Sequence, residues 1–253
     1  MEEDRVHDLP FGAAAAAYAE HRPDYAPEAV RWALGLAPGS RVLDLGAGTG
    51  KLTGVLAALG TEVVAVEPDP AMLAELRRAL PEVRALRGSA EAIPLPDDSV
   101  DAVLAGNAMH WFDMAAAGPE LTRVLAPGGT VAGLWNVLDD RVGWVAGLER
   151  VSGRVVIGPR DTHSRWRTAT GPFLPTAGRF GEPEQAEFPH GQRRTADTLV
   201  ATLATRAGVL TLPEQERTTL LDRIHTYLTT TPETANGEFV LPMLTGVQRA
   251  PAR

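Results

Sequence analysis

Apolar residues follow two alternating rhythms over the first 140 positions. Val42, Leu43 and Leu45 make the short run of a strand buried on both faces, and Leu52, Val55, Leu56 and Leu59 recur at helical spacing up to Gly60. The alternation then repeats. Residues 61–67 (TEVVAVE) predict a second strand. Asp69 and Pro70 predict the cap and first position of a helix whose buried stripe is Leu73, Leu76 and Leu80. Residues 83–86, 99–105 and 130–135 read as strands three to five. Between them lie a loop over 88–96, a short helix over 119–125 and a Pro127-Gly128-Gly129 turn. Strands alternating with helices predict a doubly wound α/β fold, with a parallel sheet covered on both faces.

Outside this core the rhythm changes. Residues 11–25 (FGAAAAAYAEHRPDY) predict an alanine-rich N-terminal helix, and 27–34 a short helix with Ala29, Val30, Ala33 and Leu34 on one face. A helix is expected over 142–151. Residues 153–182 hold Gly, Pro, Arg and three aromatics (Trp166, Phe173, Phe180) without a period, so this long connection is either a lid or a tolerated insertion. Residues 184–188 predict an edge strand, and Thr195 caps a helix carrying Leu199 and Leu203. A longer helix starts at Pro213 and aligns Leu220, Leu221, Ile224, Tyr227 and Leu228, and 237–249 predict a final strand.

Composition narrows the possible chemistry. With 44% hydrophobic and 22% charged residues the chain is that of a soluble globular protein. No stretch approaches the roughly 18 apolar residues of a membrane span, and MEEDRVHDLPFG lacks an apolar leader, so a cytoplasmic location is expected. The absence of cysteine excludes disulfides and thiolate chemistry. A net charge of −8 without a basic block argues against a nucleic-acid partner. The histidines His163, His190 and His225 are scattered, and no metal site is expected from them.

The stretch RVLDLGAGTGKLT places a glycine turn between strand and helix, where a ligand can approach backbone amides. A dinucleotide site expects G-x-G-x-x-G, but the third glycine position here is Lys51. S-adenosylmethionine is the alternative. Its ammonium would be answered near the turn by Asp44, and its ribose diol by a carboxylate ending strand two, Glu67. A nicotinamide cofactor also expects an acid at Glu67, so the glycine spacing and Asp44 carry the choice.

Four segments in order then resemble the class I S-adenosylmethionine-dependent methyltransferases: VLDLGAGTGKLT, AVEPDPAML, GSAEAIPLPDDSVDAV and RVLAPGGTV. The resemblance covers 11–135. YAEHRPDY and NAMHWFD are most similar to the branch containing trans-aconitate, quinone and natural-product methyltransferases. It implies a Rossmann-like, mostly parallel seven-stranded sheet with an antiparallel last strand. The whole chain would then be one methyltransferase domain: a helical cap over 1–40, a cofactor core over 41–140, a lid or insertion over 141–182, and completion of the sheet over 183–253. S-adenosylmethionine would be held by Arg22, Asp44, Gly46, Ala47, Gly48, Glu67, Pro68, Ser89, Ala90, Glu91 and Asn107. Many relatives have aspartate where Ser89 stands, so its adenine contact is that of a neutral acceptor.

Methyl transfer from a sulfonium needs alignment and, for an oxygen acceptor, removal of a proton. His110 is the candidate base because imidazole exchanges protons near neutral pH. Tyr18, His21, His110, Trp111, Trp135 and Asn136 are expected around a small-molecule acceptor bearing a carboxyl or hydroxyl oxygen. A magnesium-assisted variant would use Asp113, Asp139 and Asp140. Arg160, Arg165, Arg167, Arg193 and Arg194 would serve an anionic acceptor or lie on a solvated surface. Two other readings stay open: the same scaffold catalysing a different reaction, and a cofactor-binding protein without catalysis.

Overall fold

The protein is described by a computed structural model over residues 22–170 and 178–253. The alanine-rich stretch up to His21, with Tyr18, and Phe173 lie outside the described residues. The elements are α1 (Pro27–Leu34), β1 (Arg41–Leu45), α2 (Lys51–Ala58), β2 (Glu62–Glu67), α3 (Pro70–Ala79), β3 (Arg84–Arg87) and β4 (Val100–Gly106). After them come a 3₁₀ turn (Met109–Trp111), α4 (Met114–Val124), β5 (Leu125–Leu138), α5 (Gly143–Ser152) and α6 (His163–Thr170). The chain ends with β6 (Glu184–Arg194), α7 (Ala196–Ala204), α8 (Ala207–Leu210), α9 (Glu214–Thr230) and β7 (Phe239–Pro251).

The seven strands form one sheet in the order β3-β2-β1-β4-β5-β7-β6. β1 pairs in parallel with β2 and β4, β2 with β3, and β4 with β5, whereas β5 and β7 are antiparallel. This is the expected fold. The chain runs outward from β1 to β3 and then crosses to β4, so the strand order reverses between β1 and β4. In open α/β sheets ligands bind outside the carboxyl ends of the strands at such a reversal.

Local chemistry explains most boundaries. Asp69 accepts from the amides of Ala71 and Met72 with Pro70 at the first helical position, as the sequence predicts. α6 (His163–Thr170) is a helix within the stretch read as having no period, and three other elements differ in their bounds. α4 begins at Met114 rather than 119, because Asp113 caps it and Pro119 is accommodated inside. Pro127-Gly128-Gly129 is an irregularity within β5, not a turn before it: the register to β4 shifts between Val100 and Ala102, and Gly128 takes φ 76°. β6 continues past Phe188 through Pro189, which an edge strand tolerates because one side of its ladder is unpaired.

The chain divides into two compact units. Among the described residues, one comprises 24–136, 170, 178–188 and 245–253. Its core packs Val42, Leu52, Leu56, Leu104 and Leu134 with α1 and Val247, and a second cluster joins Leu73 and Leu76 to Ala65. The other comprises 22–23, 137–169 and 189–244. There α5, α7 and α9 bury Leu148, Leu199, Leu203, Ile224 and Leu228 against Leu138 and Leu241. Both cores have the side-chain content of a hydrophobic interior.

Candidate active site

The turn from β1 to α2 needs three glycines for a conformational reason. Gly46, Gly48 and Gly50 have φ of 68°, 57° and 89°, the left-handed region that side chains disfavour. The amides of Gly46 and Ala47 both donate to the Val66 carbonyl, at 2.9 and 3.1 Å, which ties the turn to the end of β2. A methyl group on Gly46 would also stand 2.8 Å from Cβ of Ala108 and 3.5 Å from the Phe112 ring. The glycine turn is thus held against the loop that follows β4. Lys51, where a dinucleotide site would have its third glycine, opens α2 and reaches the Asp24 carboxylate at 3.4 Å.

Two buried carboxylates flank this turn. Glu67 ends β2 and accepts through Oε2 from the Gly48 amide at 2.8 Å and through Oε1 from the Asp69 amide at 2.9 Å. Burial pushes its pKa up, and the two amides partly offset this. A carboxylate offers about four lone-pair sites, so each oxygen retains capacity for a hydroxyl. Asp44 on β1 is fully buried. Its Oδ2 accepts from the Thr53 hydroxyl at 2.6 Å, while Oδ1 has no partner among the described residues. Burial raises its pKa to about 7, the Thr53 bond opposes this, and the neighbouring Glu67 charge adds to it. A cation bound beside it would lower the pKa again and hold the carboxylate charged. The donor set therefore fits S-adenosylmethionine: two accepting oxygens for a diol on Glu67 and a buried carboxylate by the turn for an ammonium.

The ends of β4 and β5 are joined by side chains. Asn107, at φ 50°, accepts through Oδ1 from the Asn136 amide at 3.3 Å. Asn136 in turn donates Nδ2 to the Asp24 carbonyl at 2.9 Å and accepts from the Thr245 hydroxyl at 2.8 Å. Thr245 also accepts from the Ala26 amide at 3.2 Å. This buried chain fixes the segment before α1 to the strand ends. His110 and Trp111 occupy the 3₁₀ turn with ring centroids 5.0 Å apart, and Trp111 is 46% exposed. Trp135 is buried over Gly133. Glu91 accepts from the Asp113 amide at 3.0 Å, Ser89 bridges to Ala92, and Ala90 is buried.

All these expected residues, with Pro68 after β2, belong to the unit containing 24–136. Arg22 belongs to the other unit, where its guanidinium donates to the Thr205 hydroxyl at 3.2 Å and lies in the field of Asp161. Sequence reasoning assigned no site role to Thr53, Ala108 or Thr245. Of these, Thr53 alone had a local signal, a hydroxyl in the first turn of α2 following Asp44. Among the magnesium candidates, Asp113 caps α4. Asp139, Asp140 and His163 bring ligand atoms within 4.8 Å of one another. There Arg141 already pairs with both oxygens of Asp139, at 2.7 and 2.8 Å, and Ser164 donates to Asp140.

Residues 43–133 match the family model described as a methyltransferase domain. Over 247 residues the chain is 46% identical to an uncharacterized methyltransferase of Mycobacterium tuberculosis, covering 97% of each. The chain belongs to the class I S-adenosylmethionine-dependent methyltransferases. This methyltransferase is also similar to a solved structure described as a candidate type II methyltransferase from Anaeromyxobacter dehalogenans. The two share 28% identity and a TM-score of 0.65, over 92% of this chain and 97% of that one. A shorter likeness, 46% identity over 97 residues, relates it to a malonyl-[acyl-carrier protein] O-methyltransferase of Halorhodospira halophila. It spans 36% of this methyltransferase and 33% of that protein. No described helix is long and apolar enough to cross a membrane.

Proposed function

We propose that the protein methylates a carboxyl or hydroxyl oxygen of a small organic acceptor in the cytoplasm, with 1–253 acting as one methyltransferase domain. The pair of buried carboxylates beside the glycine turn carries the cofactor half of this reading. When bound, S-adenosylmethionine supplies a methyl group activated by its sulfonium. Glu67 holds the ribose hydroxyls and Asp44 answers the ammonium. Ser89, Ala90 and Glu91 border the adenine, and Pro68 and Asn107 complete the cofactor contacts. The acceptor half rests on the His110-Trp111 turn after β4 and on the likeness to an O-methyltransferase.

In this reading His110 takes the proton from the acceptor oxygen, which contributes about 10² to 10⁴ in rate. Trp111 after β4, with Trp135 and Asn136 near the end of β5 in the same unit, shape the space around the acceptor. The test has two stages. Calorimetric titration with S-adenosylhomocysteine should show one site, and absence of binding overturns the cofactor assignment. Incubation with methyl-labelled cofactor and panels of carboxylic acids, phenols and quinols should then label at least one acceptor. Binding without label transfer to any of them overturns the oxygen-acceptor assignment and leaves the cofactor site standing.

A further inference from the structure

Three consecutive segments of the second unit each deliver an arginine to one concave surface. Arg150 lies in the last turn of α5, Arg154 in the turn that follows, and Arg165 on α6. Together with Glu149, Gly153 and Ile157 they line a cleft of about 260 Å³. Glu149 is the one carboxylate in this lining, and it is engaged by Arg165 at 2.8 Å. Among the described residues Arg150 and Arg154 have no ion-pair partner. Three guanidiniums against one carboxylate give the cleft a formal charge of +2, within a protein whose net charge is −8.

A helix C-terminus favours a basic residue in its last turn, which accounts for Arg150 alone. Arg154 and Arg165 come from other segments, and like charges around a concavity repel one another more than on a flat surface. A multivalent anion between them converts that repulsion into attraction. Guanidiniums engage phosphate oxygens in pairs, and two of them without a carboxylate match a dianion better than a single carboxylate would. The depression is small and open to solvent, so it can seat a phosphate group while the rest of the molecule stays outside. Gly153 adds no side chain to the wall, and Ile157 is fully buried and offers carbon beneath the charges.

We infer that this cleft binds the phosphate of a small soluble phosphate monoester. The inference is independent of the proposed methyl acceptor. Inorganic phosphate and phenyl phosphate are titrated calorimetrically into the full chain at low and high salt, and binding to vesicles of phosphatidylglycerol is measured in parallel. The Arg150→Gln/Arg154→Gln variant is compared with Arg223→Gln, which removes an exposed arginine of α9. Both phosphates should saturate, phenyl phosphate more tightly. Affinity should fall about tenfold in the double variant and on raising the salt, as for contacts between exposed charges, and stay unchanged in Arg223→Gln. Urea unfolding and S-adenosylhomocysteine binding show whether the double variant remains folded. If it is unfolded, Arg154→Gln alone replaces it, with a smaller loss expected. Lack of saturation, equal binding by wild type and the folded variant, or binding to vesicles without binding of either soluble phosphate overturns the inference.

Discussion

Replacing Asp44 with asparagine isolates what the buried acid costs the fold. Its pKa moves from an ordinary 3.8 to about 7, with burial as the main cause. Below the ordinary value both the folded and unfolded chains hold the proton, and Asp44 has no effect on the pH dependence. As pH rises from about 4 to about 7 the unfolded chain releases the proton while the folded chain keeps it, so stability is progressively lost. Above about 7 the full cost applies. At about 1.4 kcal/mol per tenfold change in proton affinity, this amounts to at most about 4 kcal/mol.

Asparagine is close to the protonated acid in shape and can still accept from Thr53. Its amide nitrogen replaces Oδ1, however, and an unpartnered buried donor costs about 1–3 kcal/mol. Asp44→Asn should therefore be near neutral or mildly destabilising at pH 5. It should be more stable than wild type by about 1–3 kcal/mol at pH 8, where it also weakens S-adenosylhomocysteine binding. Urea unfolding followed by far-UV circular dichroism at both pH values supplies the difference, and titrations common to both proteins cancel in it. Parallel profiles for the two proteins would refute the reasoning, as would a wild type that gains stability relative to the variant between pH 5 and 8.

Other substitutions address neighbouring parts of the site. Glu67→Gln leaves one of the Gly48 and Asp69 amides facing an NH₂ group and removes the charge, so the affinity for S-adenosylhomocysteine should fall about 10- to 100-fold by calorimetry. His110→Gln should lower kcat by about 10² to 10⁴ with cofactor affinity unchanged, measured once an acceptor is in hand. Thr245→Val deletes the hydroxyl shared by Asn136 and Ala26 and should lower stability by about 1–3 kcal/mol in urea unfolding.

The parts of the site that rest on local geometry were legible in the sequence. Gly46, Gly48 and Gly50 are required by backbone conformation at successive positions, and Asp69 with Pro70 starts a helix whatever lies around it. Glu67 could be read because the end of a strand fixes where its side chain stands. The missed contacts arise between residues far apart in sequence. Phe112 reaches Gly46 only because β4 lies beside β1, and Thr245 reaches Asn136 only because both belong to the same compact unit. No spacing encodes either meeting. β5 and β6 were read too short because glycine and proline commonly end strands, and here a register shift and an edge position accommodate them.

The strand order has a consequence for how the protein is made. β7 follows β6 in the chain, yet it lies between β5 and β6 in the sheet. While the ribosome adds α7 to α9, β5 exposes an unpaired edge over as many as 14 residues, and β6 has no neighbour to join. Such an edge is a template for pairing with another nascent chain. The five strands β3-β2-β1-β4-β5 can pair before the remaining two, which wait until β7 has been made. A chain cut before β7 would therefore lose an interior strand and its hold on β6 as well, leaving an aggregation-prone edge on β5.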